Sequence, residues 1–329
     1  MEKLTKEQIQ QWIDLELEEI NVENFRRKHE IDAGSPIFYM TLKRMVDNKE
    51  LKKVGRGVYR KVKKAKPIKV LGRKRRPEIK LNPPKDDETG EPLDFFDDIV
   101  LREGDLWLLS GFKNKGKTNM CLKIVSENLH LHPVLMGNEY TIMGENGEYE
   151  PSPRFANRLD NMDWVQWLDE NGEERFEVLP VYRDFAEQID SGKFYVIDWI
   201  NLPGEYYLIS PVLEGIKQAL GRGIALVVLQ KNPGSDYGRG GNPSKDFVDA
   251  EILLDPYGEN PDMTMLTVGT VKETRKPIMG RKYVYKIKNG VKIVDFREVV
   301  KCTNCFGKGW RNNHPCDACN KLGYVDKPI

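Results

Sequence analysis

Apolar residues recur at helical spacing near the start of the chain. Ile9, Trp12, Ile13, Leu17 and Ile20 share one face, and Thr5 with Gln8 forms a capping-box pattern ahead of them. A second short helix is expected over 22–30. Ser35-Pro36 supplies a cap and a first-turn proline for a third helix, whose buried face is marked by Phe38, Leu42, Met45 and Val46. Tyr39 and Lys43 fall on a different face, open to a partner. From 51 to 62 the pattern alternates around Gly55-Arg56-Gly57, which predicts a hairpin. Residues 93–298 read differently. Short apolar runs at 106–109, 134–136, 194–197, 225–229 and 264–271 are separated by helical segments, such as the one carrying Cys121, Leu122, Ile124 and Val125. Strands alternating with helices predict an α/β fold with a mostly parallel sheet covered by helices.

Four parts follow from these changes of pattern: a small domain at 1–62, a basic proline-containing linker at 63–92, the α/β domain at 93–298 and a cysteine-bearing tail at 299–329. The three helices and basic hairpin of the first part resemble a winged-helix module, which would place its third helix in a DNA groove or else serve protein contacts. In the linker, Lys63, Lys64, Lys66, Lys69, Arg73, Lys74, Arg75 and Arg76 alternate with few apolar groups, and Pro67, Pro77, Pro83, Pro84 and Pro92 favour an extended path. This run could neutralise phosphates of a nucleic-acid strand or act as a solvated tether. Residues 86–98 are mostly acidic. The chain as a whole has 329 residues and a net charge of +1, so bulk charge does not argue for nucleic acid. No apolar run approaches the roughly 20 residues of a membrane helix, and the first residues do not form a secretory signal. Both favour the cytoplasm of a bacterial or archaeal host, for a host- or virus-encoded protein with no membrane partner.

Residues 111–118 read Gly-Phe-Lys-Asn-Lys-Gly-Lys-Thr, a complete GxxxxGKT phosphate-binding loop between an expected strand and helix. Gly111 and Gly116 let the backbone wrap closely, so that N–H groups of Phe112, Lys113, Asn114 and Lys115 can face phosphates. Lys117 supplies a point charge near the β- and γ-phosphates, and Thr118 a hydroxyl for Mg²⁺; Asn119 completes the ATP contact set. The strand at 194–197 ends in Asp198, at the carboxyl end where α/β sheets bind ligands, and this aspartate is the second magnesium candidate. Glu139 follows the strand at 134–136 in the same way. It is a candidate for orienting and deprotonating water.

At this point the chain resembles the RecA superfamily, which includes RecA-type recombinases, KaiC-like ATPases and DnaB-type hexameric helicases. The resemblance covers roughly 93–298. It implies that Glu139 is the general base, ahead of Glu145 and Glu148, and that Gln230, closing the strand at 225–229, senses the γ-phosphate. It also implies a mobile DNA-binding loop at 232–245, with Gly234, Gly238, Gly240, Gly241, Arg239 and Lys245. A first such loop is expected around 201–204. In these proteins a basic pair reaches the neighbouring subunit's nucleotide, and Lys272 with Arg275 stands in that position, spaced Lys-x-x-Arg where the helicase pattern is Lys-x-Arg. A homo-oligomer, ring or filament, is therefore expected. The loop interior lacks the small residues common in recombinases.

Four of the five cysteines lie in the tail as Cys302-x-x-Cys305 and Cys316-x-x-Cys319, ten residues apart. Two such pairs complete a tetrahedral Zn²⁺ site with no open position, which implies a structural zinc. The run from Cys302 to Gly309 resembles the zinc modules of DnaJ-type chaperones. The expected function is a DNA-associated ATPase that translocates on or remodels single-stranded DNA with replication or recombination proteins. The alternatives are a helicase loader or adaptor acting on proteins, and a KaiC-like signalling ATPase without DNA.

Overall fold

The computed structural model describes residues 4–16, 18–63, 65–72, 77–232 and 235–328. The expectations for Leu17, Lys64, Arg73, Lys74, Arg75, Arg76 and Gly234 lie outside the described residues. The chain divides into two compact units, Met1–Arg75 and Arg76–Ile329.

The first unit runs α1 (Lys6–Leu15), β1 (Glu19–Asn21), α2 (Val22–Lys28), α3 (Pro36–Asp47), β2 (Leu51–Gly55) and β3 (Val58–Lys61). The capping box forms: Gln8 N–H donates to Thr5 Oγ1 at 3.2 Å, and Thr5 N–H to Gln8 Oε1 at 2.9 Å. Ile9, Ile13, Phe25, Phe38, Leu42 and Met45 fill the core. Ile20 differs from the helical expectation. The helix stops at Leu15, and Ile20 is buried in β1 opposite Tyr59 of β3. A one-turn gap therefore separates two apolar groups that a single periodicity had joined.

The second unit is built on a ten-stranded sheet. Its strands are β4 (Leu106–Gly111), β5 (Val134–Met136), β8 (Glu177–Leu179), β9 (Phe194–Ile197), β10 (Ile224–Gln230), β11 (Ala250–Pro256), β12 (Met263–Val271), β13 (Lys282–Lys288), β14 (Lys292–Lys301) and β17 (Tyr324–Asp326). Two small hairpins, β6 (Thr141–Met143) with β7 (Tyr149–Pro151) and β15 (Trp310–Arg311) with β16 (His314–Pro315), lie outside it. Helices α4 (Lys117–Glu127), α5 (Pro153–Asn161) and α6 (Ile209–Leu220) complete the unit. The sheet order is β17-β14-β13-β12-β11-β4-β10-β9-β5-β8, parallel from β11 to β8 and antiparallel beyond β11. The fold is α/β with a mostly parallel central sheet. The strands β4, β9 and β5 are buried at every position, so they read as continuous apolar runs rather than alternating ones. Cores on both faces fix the sheet: Trp107, Leu109, Met120 and Ile124 on one side, Leu106, Leu108, Ile197 and Leu213 on the other.

The segment 77–92, expected as linker, packs into this unit. Ile79 bridges Leu101, and Leu81 is buried. Asp86 accepts the Phe296 N–H at 2.8 Å, and Asp87 accepts the Ile293 N–H at 2.7 Å. Its carboxylates are thus anchors onto β14. The tail is likewise continuous with the sheet, because β17 pairs with β14. No described helix is long and apolar enough to cross a membrane.

Candidate functional site: a phosphate-loop cleft and a four-cysteine centre

Parallel strands put their carboxyl ends on one side, and that is where the candidate groups meet. β4 delivers the phosphate loop, β5 delivers Glu139, β9 delivers Asp198 and β10 ends at Gln230. Gln230 pairs with Gly111, and Met136 pairs with Ile197, so the register places all four strand ends together. Lys113, Asn114, Gly116, Lys117, Thr118, Asn119, Glu139, Asp198 and Gln230 line one cleft of about 690 Å³, within the usual range for small-molecule sites.

The loop folds as its glycines require. Gly116 holds φ +76° and caps α4, whose N-terminal N–H groups open into the cleft. Lys117 Nζ donates to the Phe112 carbonyl at 2.7 Å. Burial pushes the Lys117 pKa down, against the pull of Asp198 and Glu139. Lys115 turns its side chain away, donating to the carbonyls of Pro261 at 2.6 Å and Met263 at 3.2 Å. The backbone N–H groups expected to face phosphates at Lys115 and Phe112 instead donate to the carbonyls of Phe112 at 3.4 Å and Leu254 at 3.1 Å.

Asp198 is 1% exposed, and among the described residues neither carboxylate oxygen has a hydrogen-bond partner. Burial raises its pKa to about 6, with the Thr118 hydroxyl and Lys117 opposing the rise. An orphaned buried carboxylate beside a threonine hydroxyl fits a divalent cation such as Mg²⁺. Glu139 lies 3.6 Å from the guanidinium of Arg158. Glu145 and Glu148 instead lie in the exposed turn between β6 and β7.

Other expected residues fall elsewhere. Lys272 and Arg275 follow β12, at the end of the sheet opposite the phosphate loop. Lys272 Nζ meets Asp249 at 2.9 Å, and Asp249 also takes the N–H of Leu106, the first residue of β4. Arg275 pairs with Glu78 and donates to the Asp97 carbonyl at 3.0 Å. Lys245 is held 2.8 Å from the fully buried Glu251 and stacks over Tyr237, so it is committed inside the chain. Arg239 does line the cleft. Its N–H donates to the Gln230 carbonyl at 2.7 Å, and its guanidinium bonds Asn232 and the Tyr206 hydroxyl, each at 3.2 Å.

Two cationic cleft residues were not expected from the sequence. Arg154 and Arg158 of α5 also line it. Their i,i+4 spacing on a helix starting at Ser152-Pro153 was the available signal.

In the tail, the Sγ atoms of Cys302, Cys305, Cys316 and Cys319 lie within 4.8 Å of one another. Cys302 and Cys316 are 3.8 Å apart, and Cys305 and Cys319 are 3.6 Å apart. A tetrahedron with Zn–S bonds of about 2.3 Å has edges of about 3.8 Å, so the donor set fits zinc. The N–H groups of Gly309 and Gly323 point at Cys305 and Cys319 from 3.3 and 3.2 Å, as thiolates require. His314 lies on β16, outside this cluster.

No family model and no curated protein matches the chain. Many solved structures are similar to parts of it, and two of them illustrate the likeness. One is the RadB recombinase, with 16% identity and a TM-score of 0.41 over 59% of this chain and 91% of that one. The other is a KaiC-like protein from the archaeon Pyrococcus horikoshii OT3, with 17% identity and a TM-score of 0.45 over 66% of this chain and 99% of that one.

Proposed function

We propose that this chain is a RecA-type ATPase that hydrolyses ATP to ADP and phosphate and acts on single-stranded DNA in an assembled ring or filament. One observation carries the ATPase reading: Lys117, Thr118, Glu139, Asp198 and Gln230 come from separate elements and line a single cleft at the carboxyl ends of parallel strands. In that cleft the loop N–H groups and Lys117 hold the β- and γ-phosphates. Thr118 and Asp198 would hold Mg²⁺, which when bound neutralises phosphate charge. Glu139 orients the attacking water and takes its proton. Gln230 stands beside the γ-phosphate position, and its carbonyl is bonded to Arg239, so a change at the phosphate is passed to the glycine-containing loop that follows. The tail holds a structural zinc on its four cysteines.

The DNA reading is supported by charge on exposed positions. In the first unit, Lys43 and Arg44 of α3 and Lys52, Lys53, Arg56 and Arg60 of the hairpin are exposed. Exposed basic groups of this kind suit the phosphates of a nucleic-acid strand. Lys245 is left out of this reading, because its charge is used by Glu251.

The test is phosphate release by the full chain, with Mg²⁺, in the presence and absence of a single-stranded oligonucleotide, with particle imaging of the same samples. Stimulation together with rings or filaments is expected. Hydrolysis that ignores the oligonucleotide would contradict the DNA reading and favour a loader or signalling ATPase. Absence of hydrolysis would contradict the ATPase reading.

A further inference from the structure

We infer that Arg158, flanked by Arg154, is the cationic group that neutralises the transferred phosphoryl group, and that it acts within its own chain. The inference rests on the ATPase reading above.

Helix α5 is anchored to the very segment that carries Glu139. The Ser152 hydroxyl donates to the Glu139 carbonyl at 2.8 Å and accepts the Phe155 N–H at 3.3 Å, and Ser152 N–H donates to the Tyr140 carbonyl at 2.8 Å. Phe155 and Leu159 pack into the core. This leaves Arg154 and Arg158, one turn apart, on the cleft side. The Arg158 Nη1 faces Glu139 Oε2 at 3.6 Å, an ion-pair distance too long for a hydrogen bond, and among the described residues that buried nitrogen has no hydrogen-bond partner. A buried guanidinium nitrogen in that condition is costly unless a ligand completes it. The other arginine near the β10 end, Arg239, is already bonded to Asn232 and Tyr206.

The cleft's balance agrees. Among its lining side chains Lys113, Lys117, Arg154, Arg158 and Arg239 are cationic, and Glu139, Asp198 and Asp262 are anionic. An excess of two positive charges suits a polyphosphate.

In the step, the water oxygen forms a bond to the γ-phosphorus. The bond from that phosphorus to the oxygen bridging to ADP breaks, and its electron pair stays on ADP. The water proton passes to Glu139 and then to solvent. Arg158 turns its guanidinium from the ion pair with Glu139 to the γ-phosphate oxygens, which both neutralises the phosphoryl group and frees the carboxylate to accept the proton. Assembly then serves the DNA track and is not needed to complete the site.

The experiment compares wild type, Arg158→Gln, Arg158→Lys, Lys117→Ala and mixtures of chains, reading ATP turnover and calorimetric ADP affinity on the full protein. Arg158→Gln should lower turnover about 10³-fold, by analogy with removed arginine fingers, with ADP affinity within about 3-fold, and Arg158→Lys should recover part of the loss. Mixing Arg158→Gln with Lys117→Ala should restore nothing, because neither chain holds a complete site. Recovery on mixing would place the cation in trans and overturn the inference, as would near wild-type turnover by Arg158→Gln. An inactive wild type would instead remove the ATPase reading beneath it.

Discussion

The backbone carbonyl of Asp198 stands where a Cβ on residue 137 would have to be, and Gly137 sits there at φ +120°. The two strand ends that carry Glu139 and Asp198 are therefore in backbone contact, tied also by Asp198 N–H to the Met136 carbonyl at 2.8 Å. Replacing Gly137 by alanine adds an atom inside van der Waals contact at a backbone angle that L-residues avoid. Gly137→Ala should cost about 1–3 kcal/mol and disable turnover. Thermal denaturation and phosphate release check both, and a variant normal in each would show that the contact is dispensable.

Asp198 carries a prediction on pH. Its folded pKa of about 6 lies above the ordinary 3.8 because the charged form is buried. A raised carboxyl contributes most below 3.8, and that contribution is lost as pH rises through about 6. At about 1.4 kcal/mol per unit the loss is of the order of 3 kcal/mol. Asp198→Asn removes the charge. It should melt higher than wild type at pH 8, with a smaller gap at pH 5, while abolishing turnover. A gap that is equal at both pH values, or reversed at pH 8, would contradict the buried orphan carboxylate.

The four-cysteine centre predicts one zinc per chain. Cys316→Ser should leave the preparation short of metal and expose the tail to proteolysis, because β17 is held to β14 next to the cluster. Turnover in the distant cleft should change by no more than about 3-fold, the size of a minor indirect effect. Full zinc content in Cys316→Ser would rule out this ligand set.

What the sequence disclosed was whatever chemistry is local. The GxxxxGKT loop, the aspartate closing an apolar strand and the paired CxxC turns each occupy a few consecutive residues, and all lie where that spacing implied. Long-range pairing was not legible. Nothing near Lys272 announces Asp249, whose carboxylate engages it from 23 positions away. The proline-rich stretch at 77–92 reads as an extended tether, but it folds back on itself, with Lys85 bridging Pro92, and its attachment to β14 depends on residues some two hundred positions away. Arg154 and Arg158 were hidden for a related reason: their helix has no motif, and only Ser152 contacting Glu139 brings it over the cleft.

Lys117 and Glu139 separate binding from chemistry. Lys117→Ala should weaken ATP binding strongly, since it removes the charge nearest the phosphates. Glu139→Gln keeps shape and hydrogen bonding but cannot take a proton, so it should bind ATP near normally and stall. Equal ATP affinity in wild type and Lys117→Ala would move the phosphates away from this loop.

The most direct measurement is single-turnover hydrolysis of radiolabelled ATP by wild type and Glu139→Gln under saturating protein and Mg²⁺. The account predicts phosphate release by wild type and a rate at least about 100-fold lower for the variant, as for loss of a general base. Release at the wild-type rate by Glu139→Gln would contradict it.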